Sequence, residues 1–271
     1  MKMDEMATHS APSRARPAIE ISGLTLDYAA VDRMITALSG FELSIARGEF
    51  VSVIGPSGCG KSTLLSVIGG LLRPSVGEVR IDKAPVTGPS EKLGFVFQDP
   101  VLLPWRTVLE NVLLPAQLRS GSARDYVERG LQLLQTVGLQ GFERNYPKEL
   151  SGGMRQRVAI ARALLLDPEV LLMDEPFGSL DAITRERMAY ELLRIWQGTD
   201  KTVVFVTHSI AEAILLSDRV VAMSGRPGRV VAECRIDLPR PRGLRSHEDA
   251  RFLAVSRELH RLLMHSEENR A

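Results

Sequence analysis

The sequence predicts an α/β fold with a mostly parallel central sheet, and three observations predict it. Short apolar runs rich in Val and Ile recur at 51–54, 170–173, 203–206 and 220–223, and their lack of polar alternation suits strands buried on both faces. Between them, stretches at 62–72, 155–166 and 182–197 place apolar residues at helical spacing, so strand and helix alternate. Near the N-terminus the pattern changes: Ile19, Ile21, Leu24 and Leu26, then Phe41, Leu43 and Ile45, alternate apolar with polar or small residues, as half-buried antiparallel strands do. The expected architecture is a parallel core with a small antiparallel β layer beside it.

The remaining elements follow in chain order. Residues 1–16 mix Lys2, Asp4, Glu5, His9, Arg14 and Arg16 with small residues and contain no apolar stretch, which reads as a flexible polar tail and not as a signal peptide. The main domain is expected over 17–240. Within it, about 100–168 reads as a helical subdomain inserted in the core, with Leu102, Leu103, Val108, Val112 and Leu113 first and Val127, Leu131, Leu134 and Val137 later. After Arg235 comes the Pro/Arg stretch Pro239-Arg240-Pro241-Arg242, then an amphipathic helix through Phe252, Leu253, Leu259, Leu262 and Leu263. Residues 241–271 are therefore expected as a helical tail, too short for a second sizeable domain.

Composition narrows the function classes. The 271 residues are 44% hydrophobic and 25% charged, and 34 Lys+Arg against 33 Asp+Glu leave a formal charge of +1. Those values favour neither a disordered chain nor a strongly basic nucleic-acid binder. A bilayer span needs about 20 consecutive apolar residues, and the longest runs, such as 67–72, fall far short. Cys59 and Cys234 stand far apart with no C-x-x-C, so neither a disulfide framework nor a cysteine zinc site is suggested, and a reducing cytoplasm is expected.

Three motifs carry chemistry. Gly55-Pro56-Ser57-Gly58-Cys59-Gly60-Lys61-Ser62-Thr63 fits G-x-x-x-x-G-K-[ST] directly after an apolar strand, so the expected core is that of a P-loop NTPase. Its glycines let successive backbone N–H groups converge on phosphate oxygens, and the following helix adds its positive end. Lys61 would place a charge on the β- and γ-phosphates, and the Ser62 hydroxyl would ligate Mg²⁺. Cys59 sits inside the loop, where its backbone matters more than its thiol. Further on, the strand 170–173 ends in Asp174-Glu175-Pro176. Alone this is as readily a charged turn, but beside a P-loop it delivers Asp174 to the metal and Glu175 as the base that orients or deprotonates water. Finally, Leu150-Ser151-Gly152-Gly153 leads into Met154-Arg155-Gln156 and an apolar helix, with Ser151 as N-cap. As a bare pattern it is a helix cap; with open glycine amides it is also a second anion nest.

Together these motifs resemble the nucleotide-binding subunit of an ATP-binding cassette (ABC) transporter, over about residues 19–242. The stretch Leu150, Ser151, Gly152, Gly153 to Gln156 resembles that family's signature motif, which closes in trans over ATP held by the P-loop of a second cassette. The resemblance implies further roles. Gln98, in Phe95-Val96-Phe97-Gln98-Asp99-Pro100, is similar to the glutamine-loop residue that contacts Mg²⁺ and the attacking water. Ser179-Leu180-Asp181 matches the loop that touches the opposite subunit, with Ser179 where Ala is usual. His208 resembles the switch histidine on the γ-phosphate, and Tyr28 the aromatic residue that stacks on adenine. Ser209 departs from the family, which commonly has an acidic residue there.

The implied activity is hydrolysis of MgATP by a head-to-tail homodimer, with Glu175, His208, Gln98 and Lys61 catalytic. Family members receive coupling helices of transmembrane permease subunits on the helical insertion, where Trp105 and Arg106 are either partner contacts or subdomain packing. The stretches 97–105, 174–178, 226–229 and 239–242 look most like cassettes of nitrate, sulfonate and taurine importers. That reading expects a peripheral protein on the cytoplasmic face of the inner membrane, linked through the permease to a solute-binding protein, with no nucleic-acid partner. The alternative is a soluble ABC ATPase acting on DNA or ribosomes; such relatives carry long coiled coils, zinc cysteines or two cassettes per chain, and this sequence has none of these.

Overall fold

The computed structural model of the chain describes residues 17–29, 33–178, 180–243, 246 and 249–268. The expected polar tail at 1–16 and the dimer-loop residue Ser179 lie outside them.

β1 (Pro17–Ala29) and β2 (Met34–Ala46) pair antiparallel, with Ile19 opposite Ile45, Ile21 opposite Leu43 and Leu24 opposite Phe41. The alternating apolar residues thus form one buried face, as the period of two requires. β3 (Phe50–Ile54) crosses to a second sheet and leads through the 55–60 loop into α1 (Lys61–Ile68); β4 (Val76–Ile81) and β5 (Ala84–Pro85) return to the first, whose order is β2-β1-β4-β5. β6 (Leu93–Val96) begins the return to the second sheet.

Between β6 and its neighbour the chain inserts α2 (Val108–Ser120), α3 (Val127–Thr136) and α4 (Gly152–Leu164). α2 starts on a capping box of Thr107 and Glu110. Residues 100–107, expected within the helical segment, form a loop instead, because the fully buried Asn111 amide occupies its backbone. Asn111 Oδ1 accepts from Leu103 N–H at 2.7 Å, and Nδ2 donates to the carbonyls of Leu103, Arg106 and Thr107. That loop presents Trp105 with 71% of its surface exposed, so subdomain packing does not account for it.

β7 (Val170–Asp174), α5 (Ala182–Gln197), β8 (Thr202–Val206), α6 (Ile210–Leu216), β9 (Arg219–Met223), β10 (Val230–Arg235) and α7 (Ala250–Glu268) complete the described elements. The second sheet runs β10-β9-β3-β8-β7-β6, parallel except for the antiparallel edge strand β10. All of β3 and β8 is buried, which is why both are mostly apolar without polar alternation, Ser52 and Thr202 being their polar residues. One core cluster joins this sheet to the helical insertion through Phe205, Leu171 and Val158, and another joins it to the antiparallel layer through Val53, Leu64 and Phe41. α7 lays Phe252 and Leu259 on a third cluster with Ile54, Ile214 and Val220.

Candidate functional site

The sheet delivers the site at the carboxyl ends of β3, β7 and β8, where a parallel strand set opens its loops on one side. The 55–60 loop turns tightly through Gly58 at φ 74° and Gly60 at φ 104°, and a Cβ on Gly60 would come within 2.9 Å of Leu38. Only glycine fits there. α1 has no side-chain cap and no acidic residue in its first turn, which leaves its N-terminal amides available to an anion. Lys61 is buried and its Nζ donates to the carbonyls of Gly55 at 2.9 Å and Pro56 at 3.0 Å, an amine folded across its own loop. Cys59 lies beneath, its Sγ 3.9 Å from the same nitrogen.

Ser62 Oγ donates to Asp174 Oδ1 at 3.0 Å, so the end of β7 meets the start of α1. Burial pushes the Asp174 carboxyl above its ordinary range, the Ser62 hydrogen bond and Lys61 oppose this, and the charge on Glu175 adds to it. Glu175 adopts φ 39°, the left-handed region that costs a side-chain-bearing residue. Its N–H is held by Val206 O at 2.9 Å and its carbonyl accepts from Gly178 N–H at 3.0 Å, which turns the carboxylate out of the strand line. Glu175 Oε2 then lies 3.1 Å from His208 Nδ1. A Cβ built on Gly178 would stand 3.5 Å from Gln98 Nε2 and 3.6 Å from Glu175 Oε2, so the three residues converge.

Ser57, Gly58, Lys61, Ser62, Thr63, Gln98, Glu175 and Tyr28 line a cleft of about 540 Å³, while Asp174 and His208 do not line it and stand behind Ser62 and Glu175, which they contact. Tyr28 stands at its rim, 40% exposed, with its hydroxyl 3.2 Å from Thr63 Oγ1. Three lining residues were not singled out from sequence: Ile35 and Ala37, alternate positions on β2, and Arg226 from the β9–β10 loop. That loop is fixed on β2 by Gly228 N–H to Ala37 O at 2.8 Å and Ser39 N–H to Gly228 O at 3.1 Å. Arg226 had no local signal beyond its place in the 226–229 stretch.

The second nest lies apart, and none of residues 150–156 lines the cleft. Ser151 caps α4 by accepting from Met154 N–H at 3.3 Å. Leu180 and Thr184 pack at Gly153, and Asp181 caps α5 by accepting from Thr184 N–H at 3.0 Å, so the expected dimer loop and signature motif are neighbours within one chain. One expectation requires correction. Gln156, grouped with the residues acting in trans, points inward at 1% exposure and donates to Phe97 O at 3.3 Å. Its side chain links α4 to the backbone just before Gln98 and is not presented to a second molecule. Ser209 caps α6, accepting from Glu212 N–H at 3.3 Å, a task a serine performs as well as an aspartate.

The family model described as ABC transporter matches residues 38–178. An uncharacterized ABC transporter ATP-binding protein of Methanocaldococcus jannaschii is 48% identical over 235 residues, 87% of this chain and 88% of its own length. An aliphatic sulfonates import ATP-binding protein of Bacillus cereus is 48% identical over 83% of this chain and 88% of its own, and a taurine import ATP-binding protein of Yersinia pestis 48% over 79% and 82%. Among solved structures, a dimeric ATP-binding cassette in a post-hydrolysis state with ADP and Pi superposes with a TM-score of 0.72 at 37% identity, over 82% of this chain and all of that one.

Proposed function

The chain belongs to the ABC transporter family, as an ATP-hydrolysing cassette, and on that premise we propose that it drives an importer of small sulfonate-, taurine- or nitrate-type anions. Two copies would assemble head to tail and engage transmembrane permease subunits at the cytoplasmic face of the inner membrane, with a solute-binding protein on the far side. The names of the sulfonate and taurine relatives support the solute class. Among the described residues no helix is long and apolar enough to cross a membrane, so the spanning part would belong to a partner.

The observation that carries the chemistry is the 3.1 Å contact of His208 with Glu175, the carboxylate that lines the P-loop cleft. The 55–60 amides, the α1 N-terminus and Lys61 would hold the phosphates, with Lys61 exchanging its bonds to Gly55 and Pro56 for phosphate oxygens. Ser62 and Asp174, hard oxygen donors already 3.0 Å apart, suit Mg²⁺ as ligands, with Gln98 completing the set. Bound there, the ion would neutralise charge on the β- and γ-phosphates. Glu175 would orient water and accept its proton as the water oxygen bonds the γ-phosphorus and the bond to the β-phosphate oxygen breaks. His208 would fix the γ-phosphate. Ser151 and the 152–153 amides of the partner copy would close the site, and hydrolysis would release the two cassettes.

Purified full-length protein tests this. Glu175→Gln is expected to bind MgATP and elute as a dimer with turnover lowered by about 10²-fold or more, while Lys61→Ala loses nucleotide binding. Parent-like turnover in Glu175→Gln removes Glu175 from the mechanism. For the transport reading, the chain is expected to co-purify with a membrane permease from detergent extracts, and recovery with DNA or ribosomes instead would overturn it.

A further inference from the structure

α6 buries Ile210, Ala213, Ile214, Leu215 and Leu216, and on the same short helix it also buries a carboxylate, Glu212, only 9% exposed. Packing does not call for an acid at that position, and burial pushes its carboxyl above the ordinary range. Its partners explain what it does. Thr207 Oγ1 donates to Glu212 Oε2 at 2.5 Å, and the same hydroxyl oxygen accepts from Ser209 N–H at 3.0 Å. Thr207 N–H is bound to Val53 O, on the strand that leads into the P-loop. The residues on both sides of His208 are thus pinned while its ring stays half exposed and faces Glu175.

The network continues toward the other functional loop. Arg185 Nε lies 3.7 Å from Glu212 Oε1, and Arg185 Nη2 donates to Leu180 O at 3.1 Å, in the loop that precedes α5. A polar chain therefore runs from the Leu180 carbonyl through Arg185, Glu212 and Thr207 to His208 and Glu175.

We propose that Glu212 is a positioning residue for His208: holding the Thr207 hydroxyl, it sets the backbone that aims the imidazole, and through Arg185 it ties that aim to the 180–181 loop. The proposal rests on the reading of His208 as the γ-phosphate contact. Glu212 is 9% exposed and does not line the P-loop cleft, and it bears on His208 through the Thr207 hydroxyl and not through a group of its own in the site. Its loss should misplace His208 without emptying the binding site, and small misplacements of a catalytic group cost rate far more than affinity.

The test is steady-state MgATP hydrolysis and fluorescent ATP-analogue binding on the full chain. Glu212→Ala is expected to lower kcat about tenfold or more with nucleotide affinity within about twofold of the parent. Thr207→Val should reproduce the loss, Thr207→Ser should restore parental kcat by restoring the hydroxyl, and the double variant Glu212→Ala/Thr207→Val should be no slower than either single one. If Glu212→Ala does not fold, Thr207→Val preserves volume, removes the same hydrogen bond and carries the comparison against Thr207→Ser. Parental kcat in Glu212→Ala, or losses that multiply in the double variant, would overturn the proposal. His208→Ala separates the two readings: if it is inactive while Glu212→Ala is not, only the positioning role fails, and if it hydrolyses ATP like the parent, the role of His208 fails and the proposal falls with it.

Discussion

Replacing Arg242 by Met should cost more stability than any change at a comparable surface arginine. Arg242 is 5% exposed, and its guanidinium donates to five carbonyl oxygens: Ile214, Leu215 and Ser217 at the end of α6, and Ile236 and Leu238 beyond β10. A helix ends with carbonyls that have no partner of their own, and a cation there also complements the helix dipole. Burial, with the charge of Arg240 adding to it and Asp218 opposing, pulls Arg242 down to about 10, so it remains charged at neutral pH. Hydrogen bonds to a charged group contribute about 1.5–3 kcal/mol net and a buried acceptor left unsatisfied costs about 1–3 kcal/mol, but one desolvated guanidinium serves all five carbonyls and some of them reach water once it is gone, so the net loss is about 3–5 kcal/mol. For a chain of this size that corresponds to a melting temperature lower by about 6–20 °C. The assay is calorimetry of the nucleotide-free full chain. Arg242→Lys should recover only part, because an ammonium cannot fan out over acceptors on two segments. Arg240, which stacks on Trp196 at 4.4 Å and pairs with Asp218 at 2.7 Å while partly exposed, supplies the comparison: Arg240→Met should cost about 1–2 kcal/mol. An Arg242→Met melting temperature within about 3 °C of the parent would refute the clamp.

Two shorter predictions concern the loops around the cleft. A Cβ on Gly228 would come within 2.2 Å of Cys59 O, so Gly228→Ala should push the β9–β10 loop off the P-loop and raise the KM for ATP; an unchanged KM would show that the P-loop does not depend on that packing. Ser209→Ala should destabilise α6 by about 1 kcal/mol in a thermal melt and Ser209→Asp, which keeps the cap beside the buried Glu212, by less, and equal losses in both would remove the capping role.

What sequence reading reached and missed follows from how each feature is encoded. Gly55 to Thr63 is legible because its function resides in a contiguous backbone conformation that needs glycine and in a lysine at fixed spacing. β3, β7, β8 and β9 are legible because burial on both faces leaves runs of Val, Ile, Leu, Phe, Ala and Met with no polar alternation, interrupted only by Ser52 or bounded by Asp174, Thr202 and Arg219 at strand ends. β4, β5 and β6 escaped: β4 exposes Val76 and Gly77, β5 has two residues and β6 four, too short for any period to register. Arg226 reaches the cleft from a loop more than a hundred residues beyond the P-loop, and no local pattern announces that return. Gln156 misled for the opposite reason, since membership of a motif says nothing about which way a side chain points once the helix rotates it inward.

Ser209 and Glu212 show the same limit and its resolution. From sequence, Ser209 is a departure from the acidic residue common beside His208 in the family. In the structure its hydroxyl still caps α6, while the acidic group that braces the histidine loop is Glu212, held by Thr207 and approached by Arg185. A serine cap also adds no second negative charge next to a carboxylate whose burial already disfavours ionisation. An aspartate at 209 would cap equally well but raise the cost of keeping Glu212 charged. Serine at this position is therefore consistent with the network around His208, where sequence comparison alone makes it a deficit.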